Sequence, residues 1–220
     1  MNSLQDAKIA TLLDSLHREA RGDNRVFLRA LPAVAWGFLR GRGAVESAKP
    51  YLKDAYIPID RAQGQALYQL ARASGARRVV EFGASFGIST LYLAAAVRDN
   101  GGGQVITTEL EPRKIARARE NYARAGLGRE IRLLEGDALE TLRSLEGRID
   151  LLFLDGWKEA CLPVLRLLEE KLRVGACVFC DDMKPFRKTL RPYVEHVRAG
   201  ERYASVELPL GDGLEFSVRL

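Results

Sequence analysis

Val79-Val80-Glu81-Phe82-Gly83-Ala84-Ser85-Phe86-Gly87 runs a short apolar strand, broken only by Glu81, straight into a loop with a glycine at either end. A helical stretch over 89–97 follows at once, so the order is strand, glycine turn, helix, the opening of a strand-helix-strand unit. In open parallel sheets such a turn stands at the carboxyl edge, where ligands bind. Gly83 lets a ligand approach the backbone closely, and Gly87 lets the helix begin without a clashing side chain.

Outward from this stretch the same alternation repeats. Strands are expected at 79–82, 105–109, 131–134, 149–154 and 176–180, with helices at 89–97, 112–125, 138–145, 159–172 and 187–197. The runs Leu151-Leu152-Phe153-Leu154 and Cys177-Val178-Phe179-Cys180 are apolar without alternation, as strands covered on both faces must be. Pro112 sits at a helix start, where its missing N–H costs nothing. Residues 202–208 and 214–220, joined by Gly211-Asp212-Gly213, read as a closing hairpin. Before the first strand, Asp60 caps a helix with Gln63 three residues later, and Gly75 ends it. Further upstream, helical stretches at 4–20 and 25–39 flank the breaker Gly22-Asp23-Asn24, with irregular chain from Gly41 to Pro58.

The chain has 220 residues, 47% apolar and 29% charged with 8 Pro, a composition that excludes disordered and collagen-like classes. The longest apolar run, 31–39, falls well short of the roughly 20 residues that cross a bilayer. No membrane partner is therefore expected. The amino terminus lacks the pattern of a secretory signal, which points to the cytoplasm. The three cysteines crowd into 161–180 and do not form an even disulfide framework. Cys177 and Cys180 match C-x-x-C, but residues three apart on a strand point to opposite faces, so buried structural thiols are expected. His17 and His196 fall in helical stretches without a visible partner and receive no catalytic role. The charge is uneven: 13 basic against 7 acidic residues in 1–78, and 21 against 22 in 79–220, a net of +6 and −1.

Some twenty residues past the glycine loop, the second strand ends in Glu109, placed to accept hydrogen bonds from the two hydroxyls of a ribose. A packing turn is the competing reading of the loop, and Glu109 is the second feature that favours a nucleoside-containing cofactor. A dinucleotide fingerprint would read G-x-G-x-x-G, whereas Ser85 stands here at the place of the second glycine. A pyrophosphate would fit poorly.

The fourth strand ends in Asp155-Gly156-Trp157-Lys158 and the fifth in Asp181-Asp182. Neighbouring strands lie about 4.8 Å apart, so these carboxylates could share one ion, and oxygen-only ligands select a hard cation. Helix capping is the competing reading of the acids. Lys158 would overlook the same pocket, and partial desolvation, by lowering its pKa, makes it a candidate general base; a solvated lysine at a helix start is the alternative. Trp157 is either packing or a substrate wall.

Taken together, Glu81-Phe82-Gly83, Gly87, Ser89, Glu109, Gly136-Asp137-Ala138, Leu154-Asp155-Gly156-Trp157-Lys158 and Asp181-Asp182 resemble the class I S-adenosylmethionine-dependent O-methyltransferases of the catechol O-methyltransferase type, particularly their small bacterial relatives. The resemblance covers about residues 57–220. It implies an α/β, Rossmann-like three-layer sandwich: a mostly parallel seven-stranded sheet with a C-terminal antiparallel hairpin and added N-terminal helices. Residues 61–220 would form the S-adenosylmethionine-binding domain. Residues 1–60 would be a helical segment, a substrate lid or oligomer contact and not an independent domain.

The resemblance also implies the site. Glu81, Gly83, Ser85, Gly87 and Ser89 would serve the methionine end of the cofactor, Glu109 the ribose, and Asp137 with Ala138 the adenine, with Asp155 and Trp157 bordering the same cleft. Asp155, Asp181 and Asp182 would hold a divalent cation, Mg²⁺ first, with Ca²⁺ or Mn²⁺ as alternatives. Lys158 would be the catalytic base, with Asp155 the other catalytic residue. Three departures stand out: Asp182 where the family usually has Asn, Gly156 where the catechol enzyme has a histidine beside the adenine, and no certain match for the acid that grips the second substrate hydroxyl, Glu207 being the nearest. The expected reaction is metal-assisted methyl transfer to a hydroxyl of a small, catechol-like aromatic acceptor, by a homodimer. Two other readings compete: O-methylation of a modified tRNA nucleoside, against which no basic cluster with interleaved aromatics stands out, and a non-catalytic cofactor-binding module.

Overall fold

The computed structural model describes residues 2–21 and 59–220, together with Pro32 and Trp36. The helix expected at 25–39 and the irregular stretch after it lie outside the described residues. A short 3₁₀ turn, Ser3–Gln5, precedes helix α1 (Ala7–Arg21). Chain 59–220 then runs α2 (Arg61–Ala73), β1 (Arg78–Phe82), α3 (Ile88–Asp99), β2 (Gln104–Glu109), α4 (Pro112–Ala125), β3 (Ile131–Glu135), α5 (Ala138–Thr141), β4 (Ile149–Leu154), α6 (Lys158–Leu168), β5 (Leu172–Cys180), α7 (Arg187–Arg198), β6 (Tyr203–Leu208) and β7 (Leu214–Arg219).

The seven strands form one sheet in the order β3-β2-β1-β4-β5-β7-β6. β1 to β5 are mutually parallel, while β7 inserts antiparallel beside β5 and carries β6 on its outer edge. Strand order reverses between β1 and β4, which creates the crevice where such sheets bind ligands. Register matters here. Phe82 pairs with both Thr108 and Leu154, and Leu154 with Cys180. The next residues, Gly83, Glu109, Asp155 and Asp181, therefore leave the sheet at one level.

Helices cover both faces, giving three layers. Val79, Leu151, Phe153, Cys177 and Phe179 pack under α1 to α4, and Val80, Leu152, Leu154, Val178 and Cys180 under α5 to α7. Cys177 and Cys180 thus point to opposite faces, both buried and unbridged, as the strand reading required. α3 is buried from Ile88 to Val97 because α1 and α2 cover its outer side. Ile9, Leu12, Leu13 and Leu16 share one core with Val79. The start of α1 is pinned by Asp99, whose carboxylate accepts the Ser3 N–H at 2.7 Å, the Ser3 hydroxyl at 2.6 Å and the Tyr68 hydroxyl at 2.7 Å.

The capping box at Asp60 is complete: the Gln63 N–H donates to Asp60 Oδ1 at 2.7 Å and the Asp60 N–H to Gln63 Oε1 at 2.9 Å. Two boundaries differ from expectation. The helix expected to run to 145 stops at Thr141, and the next one stops at Leu168, so that β5 begins at Leu172 instead of 176. The cause of the second lies at Gly175, with φ 76: pairing shifts between Ile149–Leu172 and Leu151–Cys177, and the intervening residues bulge. Arg173 closes the bulge with a 2.6 Å bond to Asp150 Oδ1.

Candidate active site

The glycine loop takes its shape from contacts that exclude side chains. Gly83, at φ 99, would place a Cβ 2.7 Å from the backbone of Gly156, so the loops after β1 and β4 touch main chain to main chain. Gly87, at φ 86, would drive a Cβ to 2.4 Å from the Tyr122 ring. Gly156 is held to glycine by Phe82, whose ring tip lies 2.4 Å from the point a Cβ would occupy. The space a side chain at 156 would need is therefore filled by an aromatic ring from β1.

Ser85 also adopts a left-handed conformation, φ 47, which aims its N–H at Glu109 Oε2, 2.7 Å away. Glu109 Oε1 accepts from the N–H groups of Leu110 and Glu111 at 2.9 and 3.0 Å. Three amides thus fix the Glu109 carboxylate on the rim of a cavity of about 270 Å³. Opposite stands Asp137, which caps α5 by accepting the Leu139 N–H at 2.8 Å.

Of the residues expected at the cofactor, Gly83, Ser85, Glu109, Asp137, Ala138, Asp155 and Trp157 line this cavity. Glu81, Gly87 and Ser89 stand behind it. Glu81 is wholly buried. Its Oε2 accepts the hydroxyls of Thr90 and Thr107, whereas Oε1 has no hydrogen-bond partner. Burial pushes its carboxyl up to about 7, against the pull of the surrounding hydroxyls.

The acidic cluster lies beside the loop. Lys158, the first residue of α6, places Nζ 2.8 Å from Asp155 Oδ1 and 3.0 Å from Asp182 Oδ2, with its side chain only 6% exposed. Burial alone would lower its pKa, as expected from the sequence, but the two facing carboxylates outweigh burial and hold the amine well above its ordinary value. Facing these two carboxylates, the amine is held in its charged form. Burial raises Asp155 above the usual carboxylate range even beside Lys158. Asp182 sits at φ 63, a backbone conformation that Asp and Asn tolerate better than other side chains.

Asp181 is turned differently. Its Oδ1 accepts from Gln63 Nε2 at 2.7 Å and from the Asp182 N–H at 2.8 Å. Three carboxylates suit a hard cation by chemistry, but among the described residues no three acidic, His or Cys side chains converge as a ligand set. The ammonium of Lys158 occupies the space between Asp155 and Asp182.

Several lining residues were not singled out from sequence: Lys114, Leu110, Leu139 and Phe186. Phe186 follows Asp182 by four residues, and Lys158 Nζ stands 5.8 Å from its ring centroid. Glu207 does not reach the cavity; it faces Arg187 at 3.5 Å and Arg198 at 4.0 Å. The histidines have structural partners, His17 with the Tyr92 hydroxyl at 3.2 Å and His196 with Glu169 at 2.8 Å.

Comparison with known proteins agrees with this geometry. A family model described as "Methyltransferase domain" matches residues 80–183. The catechol O-methyltransferase of Mycobacterium tuberculosis is 36% identical over 128 residues, which cover 58% of this chain and 57% of that protein. The chain thus spans little more than half the length of that relative. A Mycolicibacterium smegmatis protein named as an O-methyltransferase is 33% identical over 176 residues, covering 73% of this chain and 82% of its own. The crystal structure of a protein named as an O-methyltransferase from Klebsiella pneumoniae superposes with a TM-score of 0.69 at 27% identity, covering 74% and 81%. Similarity of this extent, on a sheet whose switch point carries the glycine loop and Glu109, places the chain: it belongs to the class I S-adenosylmethionine-dependent O-methyltransferases.

Proposed function

We propose that this chain transfers the methyl group of S-adenosylmethionine to a hydroxyl of a small, catechol-like aromatic acceptor. The observation that carries the proposal is the meeting of two features in one cavity: the Gly83 and Glu109 cradle, and the Lys158 ammonium clasped by Asp155 and Asp182, with Trp157 and Phe186 lining the same space. The cofactor fits on two counts. Glu81, behind the loop, has a buried carboxyl oxygen without a hydrogen-bond partner among the described residues, and Glu109, fixed by three amides on the cavity rim, is placed to accept from the hydroxyls of a ribose.

In methyl transfer an acceptor oxygen forms a bond to the methyl carbon as the carbon–sulfur bond breaks, the hydroxyl proton leaves, and S-adenosylhomocysteine remains. The protein's task is to align the oxygen and to lower the charge cost of its deprotonation. Lys158 Nζ supplies a fixed positive charge for the developing oxyanion. Asp155, whose proton affinity burial raises, takes the proton. Trp157 and Phe186 offer the aromatic surfaces on which a planar acceptor would lie.

A divalent cation at Asp155, Asp181 and Asp182 is the finer part of this reading. The carboxylate chemistry suits it, whereas among the described residues the three acids do not converge as a ligand set and the Lys158 ammonium lies against two of them. A homodimer is proposed as well, to be read from light scattering. Among the described residues no helix is long and apolar enough to cross a membrane.

The test is methyl transfer to a panel of catechols and monophenols, with and without chelator, alongside calorimetry with S-adenosylhomocysteine. Binding of S-adenosylhomocysteine without turnover on any acceptor would replace the enzymatic reading with a cofactor-binding module. Turnover untouched by chelator would remove the cation and leave Lys158 as the charge.

A further inference from the structure

Gln63 sits in the first turn of α2 and is 4% exposed. Both ends of its amide are engaged: Oε1 accepts the Asp60 N–H at 2.9 Å, and Nε2 donates to Asp181 Oδ1 at 2.7 Å. The turn between β6 and β7 packs on it from the other side, since a Cβ at Gly211 would lie 2.5 Å from the amide carbon and oxygen. Asp181 is itself only 3% exposed, and its Oδ1 also accepts the Asp182 N–H at 2.8 Å. The chain then turns left-handed at Asp182, which brings Asp182 Oδ2 to 3.0 Å from Lys158 Nζ.

A helix cap alone would be served equally by Glu at 63, whose carboxylate accepts the N-cap N–H in the same way. An amide accepts that bond and also donates to a carboxylate, which an ionised Glu cannot do. Glu at 63 would face Asp181 with like charge at hydrogen-bond distance, in a pocket already holding Asp155 and Asp182. The choice of Gln is therefore made by Asp181, 118 residues away, and not by the helix.

We propose that Gln63 is a positioning residue of the active site: by fixing Asp181 Oδ1 it sets the Asp181-Asp182 turn, and through Asp182 it holds the Lys158 ammonium in place. The inference rests on the methyl-transfer reading for its kinetic consequence, though not for its structural one. The hydrogen-bond partners of Gln63, Asp60 and Asp181, do not line the cofactor cradle, so its loss should leave cofactor affinity alone.

Gln63→Glu preserves the capping box while replacing the donated bond with a second acid facing Asp181, and Gln63→Met, which removes both bonds without adding charge, shows that the lost bond is the cause and serves if the first variant does not fold. In folded Gln63→Glu, kcat should fall about tenfold or more, the loss typical of a supporting hydrogen bond behind a reactive group. KM for S-adenosylmethionine and the Kd of S-adenosylhomocysteine should stay within about twofold of wild type. Acetic anhydride should label Lys158, read by peptide mass spectrometry, several times faster than in wild type. A kcat within about twofold of wild type, or one reduced only in proportion to the folded fraction, would overturn the proposal. If wild type turns over no acceptor, the methyl-transfer reading fails by itself. The labelling rate then decides on Gln63, an unchanged rate counting against it.

Discussion

Glu81→Gln separates stability from cofactor binding at a single residue. Glu81 is wholly buried at the end of β1, and burial lifts its carboxyl from 4.5 to about 7. In the unfolded chain the group loses its proton near 4.5, whereas in the folded protein it keeps it up to about 7. Over that window the folded state binds more protons than the unfolded, so stability falls as pH rises and the loss is complete above the folded pKa. At about 1.36 kcal/mol per pH unit, the ionised Glu81 costs the fold about 3 kcal/mol. Gln carries no such proton. Urea unfolding of wild type and variant at about pH 5 and about pH 8.5 should therefore show Glu81→Gln gaining some 2–3 kcal/mol on wild type between the two conditions. The same substitution removes the charge of the unpartnered Oε1, so calorimetry at pH 8.5 should show S-adenosylhomocysteine bound several times more weakly, a loss of about 1 kcal/mol or more. A stability gap equal at both pH values would refute the account of Glu81 as a buried acid. Unchanged affinity would refute a part for Glu81 in cofactor binding.

Three further outcomes follow from named contacts. Lys158→Met keeps the stem and deletes the ammonium 2.8 and 3.0 Å from two carboxylates, so kcat should drop by about 10² or more in a coupled S-adenosylhomocysteine assay; a drop of less than about threefold would deny the lysine its role. Gly156→Ala forces a Cβ against the Phe82 ring, 2.4 Å away, and should cost about 1–3 kcal/mol in urea unfolding; Phe82→Leu in the same chain should recover part of it, and no recovery would mean the ring is not the obstacle. Asp99→Ala removes the acceptor of three hydrogen bonds that anchor Ser3 and Tyr68. It should cost about 1–2 kcal/mol and speed proteolysis near residue 6; equal cleavage rates would show that α1 is held by its apolar face alone.

What could be read in advance from the sequence depended on whether the deciding contacts were local. The strand ends at Gly83, Glu109, Asp155 and Asp181 were readable because each closes its own run, and a parallel register brings such ends to one level without further information. The capping box at Asp60 was readable for the same reason. Gln63 was read only as half of that box, because its other partner, Asp181, lies across the fold. The start of β5 was misplaced by four residues because Gly175 looks like a break, whereas in the sheet it is a bulge that pairing with β4 absorbs.

Lys158 shows most clearly why local reading stops short at a site. Burial and neighbouring charge act on a lysine in opposite directions, and the residue's neighbours in sequence supply only one of the two carboxylates that settle the balance. Asp155 is three positions away and visible. Asp182 arrives from the next strand, and only because its backbone turns left-handed does its Oδ2 come within 3.0 Å. Burial pulls the lysine down and the two carboxylates at hydrogen-bond distance pull it up, and the carboxylates prevail. In the proposed reaction Lys158 presents a charge instead of accepting a proton, and the second carboxylate that favours this role reaches it through the left-handed turn at Asp182.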